Sequence, residues 1–184
     1  EDAASFCEIE LELKRGASSE MARIARRIAS EVPAALSLKT KAERGYALRQ
    51  RNAPQPFYGE PLSVTSTTRV GEAFQVVGWH CLRHFALNRE ALLGGNVRAA
   101  HEMRRGLHRL LAAVSAFRHL LDGPETDAVV AEAKWLAGEL DPVCDLDGFL
   151  EGTLTPLSVS AGEAAAVGAL CDESALRREA ALEG

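Results

Sequence analysis

From residue 70 to residue 140, apolar side chains return every three or four positions, and only two short breaks interrupt them. That spacing gathers the apolar residues on one face of an α-helix, whereas a strand needs a period of two. The first break, Gly94-Gly95-Asn96, closes a helix over residues 70–93 and caps a second helix that runs to Leu121. The second break, Asp122-Gly123-Pro124, is a turn whose proline suits the first position of a third helix, expected over residues 125–140. Pro142 is expected to interrupt that helix, and a short helix over residues 146–154 stops before Pro156. Ser160 then opens a small Ala-rich helix and Asp172 opens another. Three substantial helices joined by short turns imply a mainly α chain folded as an antiparallel bundle.

The stretch before the bundle reads differently. Across residues 6–14, Cys7, Ile9, Leu11 and Leu13 alternate with Glu8, Glu10, Glu12 and Lys14, which predicts a β-strand with one apolar and one acidic face. Three carboxylates on one strand face repel, and a divalent cation with its preference for oxygen ligands would relieve them. Gly16, Ser18 and Ser19 break the strand and offer a cap for a helix through Met21, Ile24, Ala25 and Ile28, which ends before Pro33. Residues 36–49 are basic, and their local pattern favours neither helix nor strand. Residues 52–68 are rich in Pro, Ser and Thr without periodicity, and read as a linker between residues 1–51 and residues 69–184.

Charge narrows the function classes. The net charge of −5 conceals balances of +1 over residues 1–68, +5 over residues 69–121 and −11 over residues 122–184. All five histidines fall in the basic block. A basic, His-rich block inside an acidic chain points to a local anion site and away from nucleic acid as a partner. No apolar run reaches the roughly 18–20 residues of a membrane span, and no secretory signal opens the chain. Cys7, Cys81, Cys144 and Cys171 lack the close spacing of a zinc site or disulfide framework, so reduced, mostly buried thiols in a cytoplasmic protein are expected. The first residue is Glu1, so the natural N-terminus is expected to lie upstream.

The basic charge concentrates on the second helix. At about 100° per residue, His101, Arg104, Arg105, His108 and Arg109 share one broad face, and Met103, Leu107, Leu110, Val114 and Phe117 form an apolar spine opposite. Solvated helix faces usually mix signs for i,i+4 pairing, but only Glu102 accompanies this stripe. An anion would offset the repulsion, and the planar arginine fork suits phosphate.

Two sets of residues resemble a known family. His101-Glu102-Met103-Arg104, with Arg109-Leu110 and Phe117 behind, resembles the signature helix of CHAD (conserved histidine α-helical) domains. Lys134-Trp135-Leu136-Ala137-Gly138-Glu139-Leu140, followed by Pro142, Asp145-Leu146-Asp147 and Phe149, is similar to a second line of that family. Arg83, His84 and Asn88 stand where the family places polar residues, so the likeness covers residues 70–157. It implies an all-helical fold of two related bundles lining a basic groove that binds inorganic polyphosphate, of which this chain holds little more than the first half. The polyphosphate-binding residues it implies are His101, Arg104, Arg105, His108, Arg109, Arg83, His84 and Lys134. Where the family usually has arginine this chain has His108, Leu111 and Cys144, so its groove is less basic than the family norm. His108 keeps a pH-dependent cation, which predicts stronger binding at mildly acidic pH. Beside Asp145, Cys144 reads as a packed thiol and not a nucleophile.

Residues 7–16 resemble the closing strand of CYTH domains, and Lys41-Ala42-Glu43-Arg44-Gly45-Tyr46 resembles the exit segment of bacterial CYTH–CHAD fusions. That likeness implies the remnant of an α+β tunnel that holds triphosphate on basic side chains and Mg or Mn on glutamates. Glu8 and Glu10, with Glu12, would be metal ligands only in an intact tunnel. The tunnel's N-terminal strand with its own Glu-x-Glu-x-Lys motif, and most of its other strands, are missing from these residues, and one strand cannot build that site alone, so no catalytic residue is assigned. Three functions are therefore expected in order: a cofactor-free polyphosphate-binding module joined to a triphosphatase domain, a parent that hydrolyses triphosphate with metal ions, or a structural module with a degenerate groove. In the last case the acidic C-terminal third folds over the stripe as an internal anion. Oligomeric state is not legible.

Overall fold

A computed structural model describes residues 7–50, 54–157 and 164–183 of the 184-residue chain. The chain divides into two compact units, Glu1–Leu36 and Ser37–Gly184.

The first unit contains helix α1 (Ser18–Glu31), as predicted. Arg23 pairs with Glu20 at 2.7 Å and Arg27 with Glu31 at 3.4 Å along its surface, and none of its residues is buried. Residues 7–13 do not form the expected strand. Period-two alternation prepares a chain for a sheet, but a strand persists only when a neighbour receives its backbone N–H and C=O groups. No strand occurs among the described residues. Ile9, Leu11 and Leu13 accordingly remain 61%, 39% and 43% exposed.

The second unit opens with helix α2 (Lys41–Gln50) in the stretch whose pattern was ambiguous. A capping box holds its start: Thr40 N–H donates to Glu43 Oε2 at 2.7 Å, and Glu43 N–H donates to Thr40 Oγ1 at 3.2 Å. Backbone and hydroxyl hydrogen bonds from Thr40 hold the Glu43 carboxyl below its usual range. The expected helix over residues 70–93 divides at Asn88 into α3 (Val70–Leu87) and α4 (Arg89–Leu93). Helix α5 (Val97–Ala116) begins as predicted, with the Asn96 side chain accepting from Arg98 N–H at 3.1 Å. It gives way to a 3₁₀ turn at Arg118–Leu120. Gly95 and Gly123 adopt φ of 79° and 140°, values that L side chains rarely adopt, so each break turns where the sequence predicts.

Helix α6 (Pro124–Phe149) starts at its proline and passes straight through Pro142, then widens into a π turn at Leu150–Leu154. The predicted interruption does not occur. An interior proline costs roughly 3 kcal/mol. Leu140, Val143 and Cys144, which flank it, are 9%, 3% and 3% exposed, and each large apolar side chain so buried contributes about 1.5–3 kcal/mol. Packing outweighs the local defect. The two small helices expected near the C-terminus are one continuous helix, α7 (Ala164–Glu183).

Helix α5 is the centre of the bundle, packed by α3 on one side and α6 on the other, and α7 lies against α6. One core cluster joins Ala100, Met103 and Leu107 of α5 to Ala133, Ala137, Leu140, Val143 and Cys144 of α6. A second joins Cys81 to Leu110 and Val114, with Phe74 and Val130 packed against it. The α3–α5 crossing is closest at Gly106, where a Cβ would lie 3.1 Å from Phe85 N and 3.2 Å from the Cys81 carbonyl. Four thiols are free: Cys81 and Cys144 are buried, Cys171 is half-buried and Cys7 is exposed. No helix among the described residues is long and apolar enough to cross a membrane.

Candidate functional site

The five basic positions of α5 do not point into one basin. Packing on both flanks of α5 splits the stripe into three parts. His101 Nε2 lies 2.8 Å from Asp147 Oδ2 on α6, and the other Asp147 oxygen accepts from Arg178 of α7 at 2.8 Å. Arg104 Nε sits 2.7 Å from Asp141 Oδ1, and its Nη1 lies 3.8 Å from Asp145. These two members are therefore engaged between helices, His101 by a hydrogen bond and Arg104 by an ion pair. On the opposite flank, His84 of α3 meets Glu102 of α5 at 2.8 Å, with side chains only 2% and 6% exposed. The second Glu102 oxygen accepts from the Arg105 guanidinium, and the Arg105 side chain is otherwise 62% exposed.

The remaining members are not paired in this way. His108 is exposed and Arg109 half-buried, and neither has a carboxylate partner among the described residues. Lys134 is exposed on α6, on the helical face it shares with Asp141 and Asp145. Arg105, His108 and Arg109 thus form what remains of the basic stripe on α5. Arg83 stands beside it on α3, its guanidinium 4.8 Å from the Phe57 ring centroid and 3.0 Å from Glu60.

Sequence reasoning did not identify the segment that supplies Phe57 and Glu60. Residues 54–60, expected to be linker, lie on the bundle. Phe57 N–H donates to Asn88 Oδ1 at 2.9 Å, and Asn88 Nδ2 donates to the Phe57 carbonyl at 2.8 Å. Asn88 has no exposed surface. A Cβ on Gly59 would stand 2.6 Å from Arg109 Nη1 and 3.1 Å from His84 Nδ1, so the chain passes directly over both. The one legible signal was Asn88, a polar residue on a helix bounded by apolar turns. Asp141 was not singled out, although the acidic excess after residue 121 made internal pairing conceivable.

Buried chemistry at Cys144 is inert. Burial pushes its thiol up to about 11; Arg104 draws it down, and Asp141 and Asp145 raise it. A cavity of about 540 Å³ opens beside the start of α5 and is lined by Gly94, Asn96, Arg98, Asp147 and Glu151. Its two carboxylates make it a poor seat for a polyanion. No group of three His, Cys, Asp or Glu that could hold a metal ion is gathered among the described residues, Glu8, Glu10 and Glu12 included.

No curated protein and no solved structure matches the chain. A family-wide sequence profile, that of the CHAD domain, matches residues 77–184, from the middle of α3 through α7. The match leaves residues 7–16 and their CYTH-like pattern outside it. It spans more than half of the chain and contains both His–carboxylate pairs, the buried His84–Glu102 and the part-buried His101–Asp147, and by it the chain belongs to the CHAD domain family.

Proposed function

We propose that the unit Ser37–Gly184 is a binding module for inorganic polyphosphate, held on Arg105, His108 and Arg109 with Arg83 at the edge. The observation that carries this reading is that Arg109 and His108 have no carboxylate partner among the described residues, whereas His101, Arg104 and Arg105 of the same stripe each meet one. An unpaired guanidinium beside an exposed one is suited to successive phosphates of a linear polyanion. His101, Arg104 and His84 act as scaffold in this reading, and the module needs no metal or cofactor to bind. Recognition works by charge density, so affinity falls steeply with salt. Titrating fluorescent long-chain polyphosphate at low and high salt tests it. Arg105→Ala with Arg109→Ala should abolish saturable binding; binding equal to the parent chain would overturn the assignment.

The carboxylate partners of His101 and Arg104 favour one competing reading, a structural module whose groove is satisfied from within. It requires that polyphosphate fail to bind even at low salt. A triphosphatase reading gains no support from Glu8, Glu10 and Glu12, which lie in a stretch without strand pairing.

A further inference from the structure

We infer that residues 54–60 form a strap that occupies the anion site, with the Glu60 carboxylate holding on Arg83 the place of a phosphate. Polyphosphate must displace this internal competitor to reach Arg83 and Arg109 together.

The strap is built of three kinds of contact, each with a different strength. Its anchor is the double hydrogen bond between the Phe57 backbone and the fully buried Asn88 amide, whose Nδ2 also donates to the His84 carbonyl at 2.8 Å. That anchor fixes where the strap sits. Its second contact is aromatic: the Phe57 ring meets His84 edge-on at 6.1 Å and lies under Arg83 at 4.8 Å. The third is the Glu60–Arg83 ion pair at 3.0 Å, with Glu60 53% exposed. An exposed pair of this kind is weak and yields to a ligand of higher charge. The strap is thus held by its backbone at one end and only lightly by charge at the other. Gly59 between them has no side chain, which lets the backbone lie against Arg109 Nη1 and the His84 ring.

His84 Nδ1 supports the covering role. It is buried and has no hydrogen-bond partner, because the strap closes over that edge of the ring. Lifting residues 58–60 uncovers this edge of the ring together with both guanidinium groups, so one movement frees two phosphate-directed groups.

The strap has a target only if the basic face binds polyphosphate as proposed above, and the experiment separates the two. Long-chain polyphosphate is titrated into the 184-residue chain, into Glu60→Gln and into Glu132→Gln, which makes the same charge change on the exposed face of α6. Glu60→Gln should tighten binding about two- to fivefold over the Glu132→Gln control. Hydrogen exchange at the Phe57 amide should accelerate when polyphosphate binds. Equal effects of the two variants, or slower exchange at Phe57 on binding, would overturn the strap and leave the binding site standing. Absence of binding in all three proteins would remove the binding site and the strap with it.

Discussion

His84 and Glu102 meet at 2.8 Å across the α3–α5 interface with both side chains almost sealed from water. Removing one member of such a pair leaves the other buried without a partner, which costs more than the pair itself contributes. Glu102→Ala should therefore lower stability by about 2–4 kcal/mol in urea unfolding. Glu102→Gln keeps the shape and an acceptor oxygen and should cost less. Equal loss for both variants would show that packing volume, and not the hydrogen bond, holds the two helices.

Arg104 and Arg109 are five residues apart on one helix, yet the structure gives them different tasks. Arg104 reaches Asp141 and Asp145, while Arg109 has no carboxylate partner among the described residues. Arg104→Ala should shift the unfolding midpoint by about 1 kcal/mol and leave the salt dependence of polyphosphate binding unchanged. Arg109→Ala should leave the midpoint in place and reduce the logarithmic salt slope by about one. Interchanged effects would contradict the division.

Asp147 joins three helices, since its two oxygens receive His101 of α5 and Arg178 of α7 at 2.8 Å each. Asp147→Asn keeps the volume but weakens both bonds, and should speed amide exchange in α7 more than in α3. The loss in stability should be about 2–3 kcal/mol. Uniform acceleration through the bundle would mean that α7 is not the element this residue anchors.

At Gly106 the backbones of α3 and α5 approach so closely that a Cβ would lie 3.1 Å from Phe85 N. Neither backbone can yield without moving a helix. Gly106→Ala should cost about 1–3 kcal/mol despite alanine's better helix propensity, as measured by thermal or urea unfolding. A stabilised variant would show that the crossing is looser than its geometry.

Burial raises the Cys144 thiol from 9.0 to about 11, while Cys7 is exposed. The folded chain therefore keeps a proton that the unfolded chain releases between those values. Stability contributed by the neutral thiol is complete below 9.0 and declines as pH rises through that window. Iodoacetamide at pH 8 should label Cys7 and spare Cys144 until urea is added. A Cys144→Ser variant should lose this part of the alkaline decline.

Some features were readable from residue order because they are local. Asn96 as a cap, Pro124 as a first helical residue, and Gly95 and Gly123 at positive φ follow from side-chain and backbone preferences that act within one turn. The apolar spine of α5 was equally legible: Met103, Leu107, Leu110 and Val114 are all buried. The Thr40-x-x-Glu43 box was also present in the sequence, although the mixed pattern around it hid the helix it opens.

Other features depend on partners distant in sequence. The alternation over residues 7–13 promised a strand, but pairing needs a neighbour, and none is present among the described residues. Pro142 marked a helix end, until burial against α5 outweighed its local cost. The stripe from His101 to Arg109 looked like one cationic surface, because a helical wheel places residues on a face without showing what packs against its edges. Asp141 and Asp147 sit far along the chain and reach α5 only because α6 folds back antiparallel beside it. Residue order by itself determined the starts of α5 and α6, the turns before them and the CHAD family. Tertiary structure alone decided which positive charges remain open, since neutralisation is a matter of distance in space, set by how α3, α6 and residues 54–60 close around α5.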